Sequence, residues 1–316
     1  MRFKPILAIL TTAALGAAGP SALRAQNQTF TVTVDVPLVT VDVKVLDSKQ
    51  QPMTALTEKD FIIVEDGVEQ QLQNFSSVGT AYNIFLLFDR SASTENQWTF
   101  MQRAAVRFLH NVRAQDRVAI GSFDEGVTML SEWNDSRDEA ERGLNELLKR
   151  GPGGGTNLYQ SLERVMQREF RNTTGRRAVI VLSDGQDSQL LSPLFTRRPD
   201  HFQLVTSVVQ STHIPLYFVA LNTDKNPSSG FHSEELSRDA RINMESLANI
   251  SGGGMFYPKN IRDIVDLYDQ VSRDLSSSYS LTYTSTHSAV RGQVHRIEVR
   301  VHGASVKQSR NSYVTP

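Results

Sequence analysis

Two carboxylates and three hydroxyls in this sequence have the types and the placement to hold a hard cation. Asp89, Ser91 and Ser93 lie in the stretch NIFLLFDRSAS at residues 83–93, where an apolar run ends in an acid followed by hydroxyls at alternate positions. The run over residues 84–88 has the unbroken apolar character of a strand buried on both faces, as at the centre of a parallel sheet. Asp89 then falls at the strand's carboxyl end, where open α/β sheets place their ligands. Ser91 and Ser93 alternate along the following turn, so their hydroxyls face the same point as Asp89. An oxygen-only cup of this kind suits Mg²⁺. Taken alone, however, D-x-S-x-S reads first as a turn in which Asp and Ser bond their own backbone and cap the next helix.

Two later stretches change that balance. Residues 151–156, GPGGGT, form a glycine-rich loop that delivers Thr156 just before a helical run from Asn157. Residues 178–185, AVIVLSDG, are a second buried strand ending in a carboxylate, Asp184, and a glycine. Three loops thus each carry an oxygen ligand, and a parallel sheet gathers such loops along one edge. On these residues the chain resembles the von Willebrand factor type A domain. Asp89, Ser91, Ser93, Thr156 and Asp184 match that family's metal-ion-dependent adhesion site, D-x-S-x-S followed by a distant Thr and a distant Asp. Ala92 stands where a glycine is often found and Ser183 where a threonine is common; neither change removes a ligand.

The resemblance implies a Rossmann-like, doubly wound, mainly parallel α/β sheet. It also implies direct metal binding by Ser91 and Ser93, by Thr156 in one state, and by Asp89 and Asp184 directly or through water. The expected ion is Mg²⁺, with Mn²⁺ or Ca²⁺ as alternatives. One coordination position is left for a Glu or Asp of a protein partner, and the last helix, residues 261–275, is expected to couple to the site. Competing readings are a metal-independent structural domain and a metal-dependent hydrolase. No G-x-S-x-G, H-E-x-x-H or Walker lysine supports an enzyme. The seven histidines show no ligand spacing and read as surface or packing residues.

The elements that must position these groups follow from periodicity. Alternation over residues 30–46 gives strands, with Pro37 at an edge or bend, and residues 61–65 another. Asp66-Gly67 is a hairpin signal leading into residues 68–75. This segment reads as a small β unit without chemistry. Strand and helix then alternate, with helices over residues 98–112, 136–149, 158–170, 202–211 and 244–250, and strands over 117–123, 127–130, 216–221 and 255–257. Leu144, Leu147 and Leu148 are expected to face inward, and Ser136 with Glu139 to form a capping box. Period two returns at residues 280–284 and 295–301. Two strands alone are marginal in water, so this end is expected to pair with the amino-terminal strands in one β-sandwich around the α/β domain. The layout resembles exported von Willebrand A-related proteins of acidobacterial type.

Length and charge bound the rest. A chain of 316 residues, 39% hydrophobic, is long enough for one large core and a smaller one. The formal charge of −1 and isolated pairs such as Arg176-Arg177 and Arg197-Arg198, expected on solvated faces, give no phosphate track for nucleic acid. Arg2 and Lys4 precede an apolar run and small residues up to Ala25, the pattern of a cleaved signal peptide. Its loss removes three of the 33 basic residues and none of the 34 acidic ones. The absence of cysteine excludes disulfides and thiolate metal sites, and leans toward a bacterial periplasm or exterior. The expected division is a signal peptide at 1–25, an amino-terminal β segment at 26–80, the von Willebrand factor A domain at 81–277 and a carboxy-terminal β segment at 278–316.

Overall fold

A computed structural model describes residues 38–149, 151, 153–188, 200–221, 230–258, 263, 266, 271, 275–287, 290 and 292–315, with the side chains of 230–235 set aside. The expected signal peptide, the strand residues before 38, Pro37 and Arg197-Arg198 lie outside these residues. Of the expected closing helix, Asp263, Asp266, Val271 and Leu275 are described, and each is helical.

The described residues open with β1 (Leu38–Leu46), whose alternate residues Val39, Val41, Val43 and Val45 are buried as period two demands. A single 3-10 turn at Glu58–Asp60 precedes β2 (Phe61–Glu65). The Asp66-Gly67 turn, with both residues at positive φ, folds β2 back onto β3 (Val68–Gln70). The expected single strand over 68–75 breaks at Gln71, and β4 (Leu72–Ser76) joins a different sheet.

The α/β unit begins at β5 (Tyr82–Asp89), buried along its whole length. It continues with α1 (Trp98–Asn111), β6 (Arg117–Phe123), β7 (Val127–Ser131), α2 (Arg137–Leu147) and α3 (Leu158–Arg164). Then come β8 (Arg176–Ser183), α4 (His201–Thr212), β9 (Leu216–Ala220), α5 (Gly230–Ser251) and β10 (Gly254–Phe256). The six strands run in the order β10-β9-β8-β5-β6-β7, all parallel except β7, which pairs antiparallel with β6 at the edge. The side chains of β5 divide between two cores. Ile84, Leu86 and Phe88 meet Met101, Phe108 and Leu144 on one face, whereas Phe85 and Leu87 meet Leu158, Val209 and Met244 on the other. Because β6 and β8 leave β5 on opposite sides, its carboxyl end is a topological switch point, the place where such sheets open a crevice.

Three local expectations are revised. Leu148 is 41% exposed, because α2 ends at Leu147 and turns it outward. The helix expected to reach residue 170 stops at Arg164 and widens into one π turn over Val165–Glu169 that still buries Val165 and Met166. Arg176 is buried: its guanidinium lies 4.1 Å from the Tyr82 ring centre, and Nη1 donates to the Ser278 carbonyl at 2.7 Å. The capping box forms as expected, with the Ser136 N–H donating to Glu139 Oε2 at 2.7 Å.

The chain ends in β11 (Tyr279–Thr284), β12 (Val294–Val301) and two short strands the periodicity did not single out, β13 (Ser305–Gln308) and β14 (Ser312–Val314). These join the amino-terminal strands in two antiparallel sheets, β13-β1-β11-β4 and β14-β12-β2-β3. Val41, Val43, Phe61, Ile63, Tyr279, Leu281 and Val299 fill one core between them.

Candidate metal centre at the sheet edge

Asp89 closes β5 and is fully buried at the switch point. Its Oδ1 accepts the Ser91 N–H at 2.9 Å, and its Oδ2 accepts the Ser183 hydroxyl, at the end of β8, at 2.6 Å. The Ser91 and Ser93 hydroxyls lie 3.0 Å apart, as alternation along the turn requires. Thr94 locks that turn: its hydroxyl donates to the Asp89 carbonyl at 2.9 Å and accepts the Trp98 indole N–H at 3.1 Å. Asp184 takes a hydrogen bond from the Ser93 hydroxyl and accepts the Gln186 N–H at 3.1 Å. Asp89, Ser91, Ser93 and Asp184 therefore share one hydrogen-bonded cluster, and Ser183 closes it from behind. Gly185, at φ +78°, must be glycine, because a Cβ there would sit 2.5 Å from the end of the Met244 side chain and 3.2 Å from the Ala240 carbonyl.

Thr156 arrives on the glycine-rich loop, which is stitched to both neighbouring loops. The Gly153 N–H donates to the Arg90 carbonyl at 3.3 Å, and the Asn157 N–H to the Asp124 carbonyl at 2.8 Å. Thr156 itself exchanges two bonds with Ser188, four residues beyond Asp184: its N–H donates to Ser188 Oγ at 2.9 Å, and its carbonyl accepts the Ser188 N–H at 2.7 Å. Its own hydroxyl makes no hydrogen bond among the described residues and is left available. Arg90, which the sequence did not mark, is buried beneath this loop, with Nη2 donating to the Gly151 carbonyl at 2.7 Å and lying 3.5 Å from Asp124.

The electrostatics are those of two acids crowded away from water. Burial, with the neighbouring Asp184 charge added, pushes Asp89 up to about 7, against the hydrogen bonds from Ser183 and Ser91 that favour its ionised form. Burial likewise raises Asp184, against the Ser93 hydroxyl. Among the described residues no Lys, Arg or His forms an ion pair with either acid. Two buried carboxylates facing neutral hydroxyls without a protein cation are the donor set of a hard divalent ion.

A second cluster lies outside this edge. Glu65, Asp66, His287 and His295 in the sandwich each offer a ligand atom within 4.8 Å of the others, so the described residues include a possible divalent metal site there as well. No sequence pattern marks it, since neither histidine has a ligand at helical or hairpin spacing and the acids lie more than two hundred residues away.

A doubly wound, mainly parallel sheet with its oxygen cluster at the switch point defines the class of the central unit. Residues 84–186 match the family model described as von Willebrand factor type A domain, and the chain carries such a domain. Among solved structures it is similar to proximal thread matrix protein 1 from the mussel byssus with a zinc-occupied MIDAS motif, at 16% identity and TM-score 0.45 over 66% of this chain and 48% of that one. It is also similar to the D319A mutant of the PilB minor pilin from Streptococcus sanguinis, at 10% identity and TM-score 0.46 over 63% and 62% of the two chains. BatB from Bacteroides thetaiotaomicron matches at 13% identity and TM-score 0.44, over 62% of this chain and 97% of that one. The chain thus spans about half the length of the byssus protein.

Proposed function

We propose that this protein is a divalent-metal-dependent binding module for adhesion or assembly, acting through Asp89, Ser91, Ser93, Thr156 and Asp184. The observation that supports it is the cluster at the switch point, where two buried acids share hydroxyl partners and, among the described residues, form no ion pair with a protein cation. Ser91 and Ser93 would hold the ion through neutral oxygens, with Thr156 and the two carboxylates completing the set. Bound there, Mg²⁺ supplies an electrophilic position for one carboxylate, so an Asp or Glu of a protein partner is the ligand this reading calls for. Mn²⁺ and Ca²⁺ share the required oxygen preference. Asp89 and Asp184 neutralise the dication, and the hydroxyls leave it able to attract a further anion. The reading assigns the chain to binding rather than catalysis, and places it in the periplasm or outside the cell. Among the described residues no helix is long and apolar enough to cross a membrane.

The test is thermal melting of the full chain with Mg²⁺ and with EDTA. A rise of about 2.7 kcal/mol in stability at a hundredfold excess over Kd follows from mass action. That rise should vanish in Asp184→Ala, and retention of a partner from the exported fraction should vanish in EDTA. Identical melting in Mg²⁺ and EDTA would turn the reading toward a metal-independent structural domain.

A further inference from the structure

Glu65 ends β2 with its side chain fully buried in the sandwich, an expensive place for a carboxylate. Four groups converge on its Oε1: the Ser285 hydroxyl at 2.6 Å, the Tyr313 hydroxyl at 2.9 Å, His287 Nδ1 at 3.1 Å and His295 Nδ1 at 3.5 Å. Among the described residues its Oε2, in the same buried site, meets no donor at full hydrogen-bond geometry, and the buried Tyr283 hydroxyl interacts with the Glu65 carboxylate only weakly. His295 is itself 1% exposed and sets Nδ1 2.8 Å from Asp66 Oδ2. A network built only for hydrogen bonding would spread donors over both carboxylate oxygens. Here four groups crowd one oxygen, and two imidazole nitrogens converge with two acids within 4.8 Å of one another.

We propose that Glu65, Asp66, His287 and His295 form a second metal site, for Zn²⁺ or a similar borderline ion, separate from the oxygen cluster of the α/β sheet. Two neutral nitrogens and two carboxylate oxygens are a donor set that zinc accepts and magnesium disfavours. A tetrahedron with ligands about 2.1 Å from zinc has edges of about 3.4 Å. Three of the separations between these ligand atoms, 2.8, 3.1 and 3.5 Å, fall around that edge. Asp66 and Glu65 balance the dication's charge, and each imidazole binds through Nδ1 with its proton moved to Nε2. Ser285 and Tyr313 remain as hydroxyl donors that orient Glu65.

The site would act as a staple. Glu65 and Asp66 belong to the amino-terminal strands, whereas His287 follows β11 and His295 lies on β12. β11 belongs to one sheet of the sandwich and β2 and β12 to the other, so one ion would join both sheets and both ends of the chain. In a protein without cysteine this does the work of a cross-link, closing a loop of more than two hundred residues.

The experiment uses the full chain without a histidine tag, stripped by chelator and titrated with Zn²⁺ against a chromophoric competitor. One equivalent should bind with a Kd of about 10⁻⁷ M or tighter. It should bind equally in Asp184→Ala, which removes one of the two sheet-edge acids and leaves the sandwich intact, so failure of this site and failure of the adhesion reading are separable. His287→Ala, at a partly exposed position, should weaken Zn²⁺ by about 100-fold or more. Asp66→Asn gives a second variant that keeps the fold, because Asp66 sits at φ 48° and Asn tolerates that region. It should also weaken binding while far-UV circular dichroism stays unchanged. Co²⁺ loading should give the intense visible absorption of a four-coordinate ion. Less than a stoichiometric amount of tight Zn²⁺, or stoichiometric Zn²⁺ that both variants retain, would overturn the proposal and leave a hydrogen-bonded network.

Discussion

At the scale of single residues, Asp89 carries the sharpest consequence. Its ordinary value is 3.8 and burial lifts it to about 7, so over that window the folded, metal-free protein holds a proton that the unfolded chain has released. Stability from this group is therefore fully present below pH 3.8 and is lost as pH rises through about 7. The slope is at most about 1.4 kcal/mol per pH unit for one proton. Asp89→Asn keeps the volume and one acceptor oxygen but removes the charge. In EDTA, the melting temperature of wild type relative to Asp89→Asn should fall between pH 5 and pH 8, and a difference that stayed constant would contradict the assignment. The acids and serines of this site were legible in the sequence because strand ends and turn alternation are local. Arg90 and Ser188 were not, since their partners come from loops far along the chain. His287 and His295 were invisible for the same reason: the pairing of β2 with β12 brings His295 to Glu65 and Asp66, and the packing of the two sheets brings His287, which follows β11.

Elements follow rules that a single glycine can reverse. Gly143 lies inside α2, where replacing glycine by alanine ordinarily stabilises by about 1 kcal/mol. Here α2 packs so closely on β7 that a Cβ would lie 1.8 Å from the Leu130 carbonyl oxygen, a backbone atom that cannot swing aside. Gly143→Ala should therefore destabilise the protein by about 2 kcal/mol or more, read from the denaturant midpoint at unchanged m-value. A gain in stability would mean that the helix rides higher on the sheet than described. Periodicity located the main strands and helices because each buries one face or both. It did not locate the π turn at Val165–Glu169 or the split between β3 and β4, where packing against other elements decides the backbone. Leu148 shows the same limit: an apolar residue at helical spacing turns outward because the helix has already ended.

Across the described residues, the strands before the α/β unit and those after it are one structure. β1 has β11 on one side and β13 on the other, both from the carboxy-terminal segment, and β2 has β12. Arg310 extends this dependence into the α/β unit, its buried Nη2 donating to the Ser251 carbonyl at the end of α5 at 2.7 Å. A chain ending at residue 278 keeps Val39, Val41, Val43 and Val45, each at most 1% exposed in the intact protein, but loses the strands that cover them. Exposing each forfeits about 1.5 kcal/mol or more, and β1 is left with two open edges. The α/β sheet draws its six strands from residues 82–256 and loses none of them. Limited proteolysis read by mass spectrometry should accordingly show cleavage within residues 38–78 at the rate of an unfolded peptide, while the core strands β5 and β8 stay protected. If residues 39–45 remained protected in the truncated chain, β1 would have to fold without β11 and β13, the two strands to which its registers assign it.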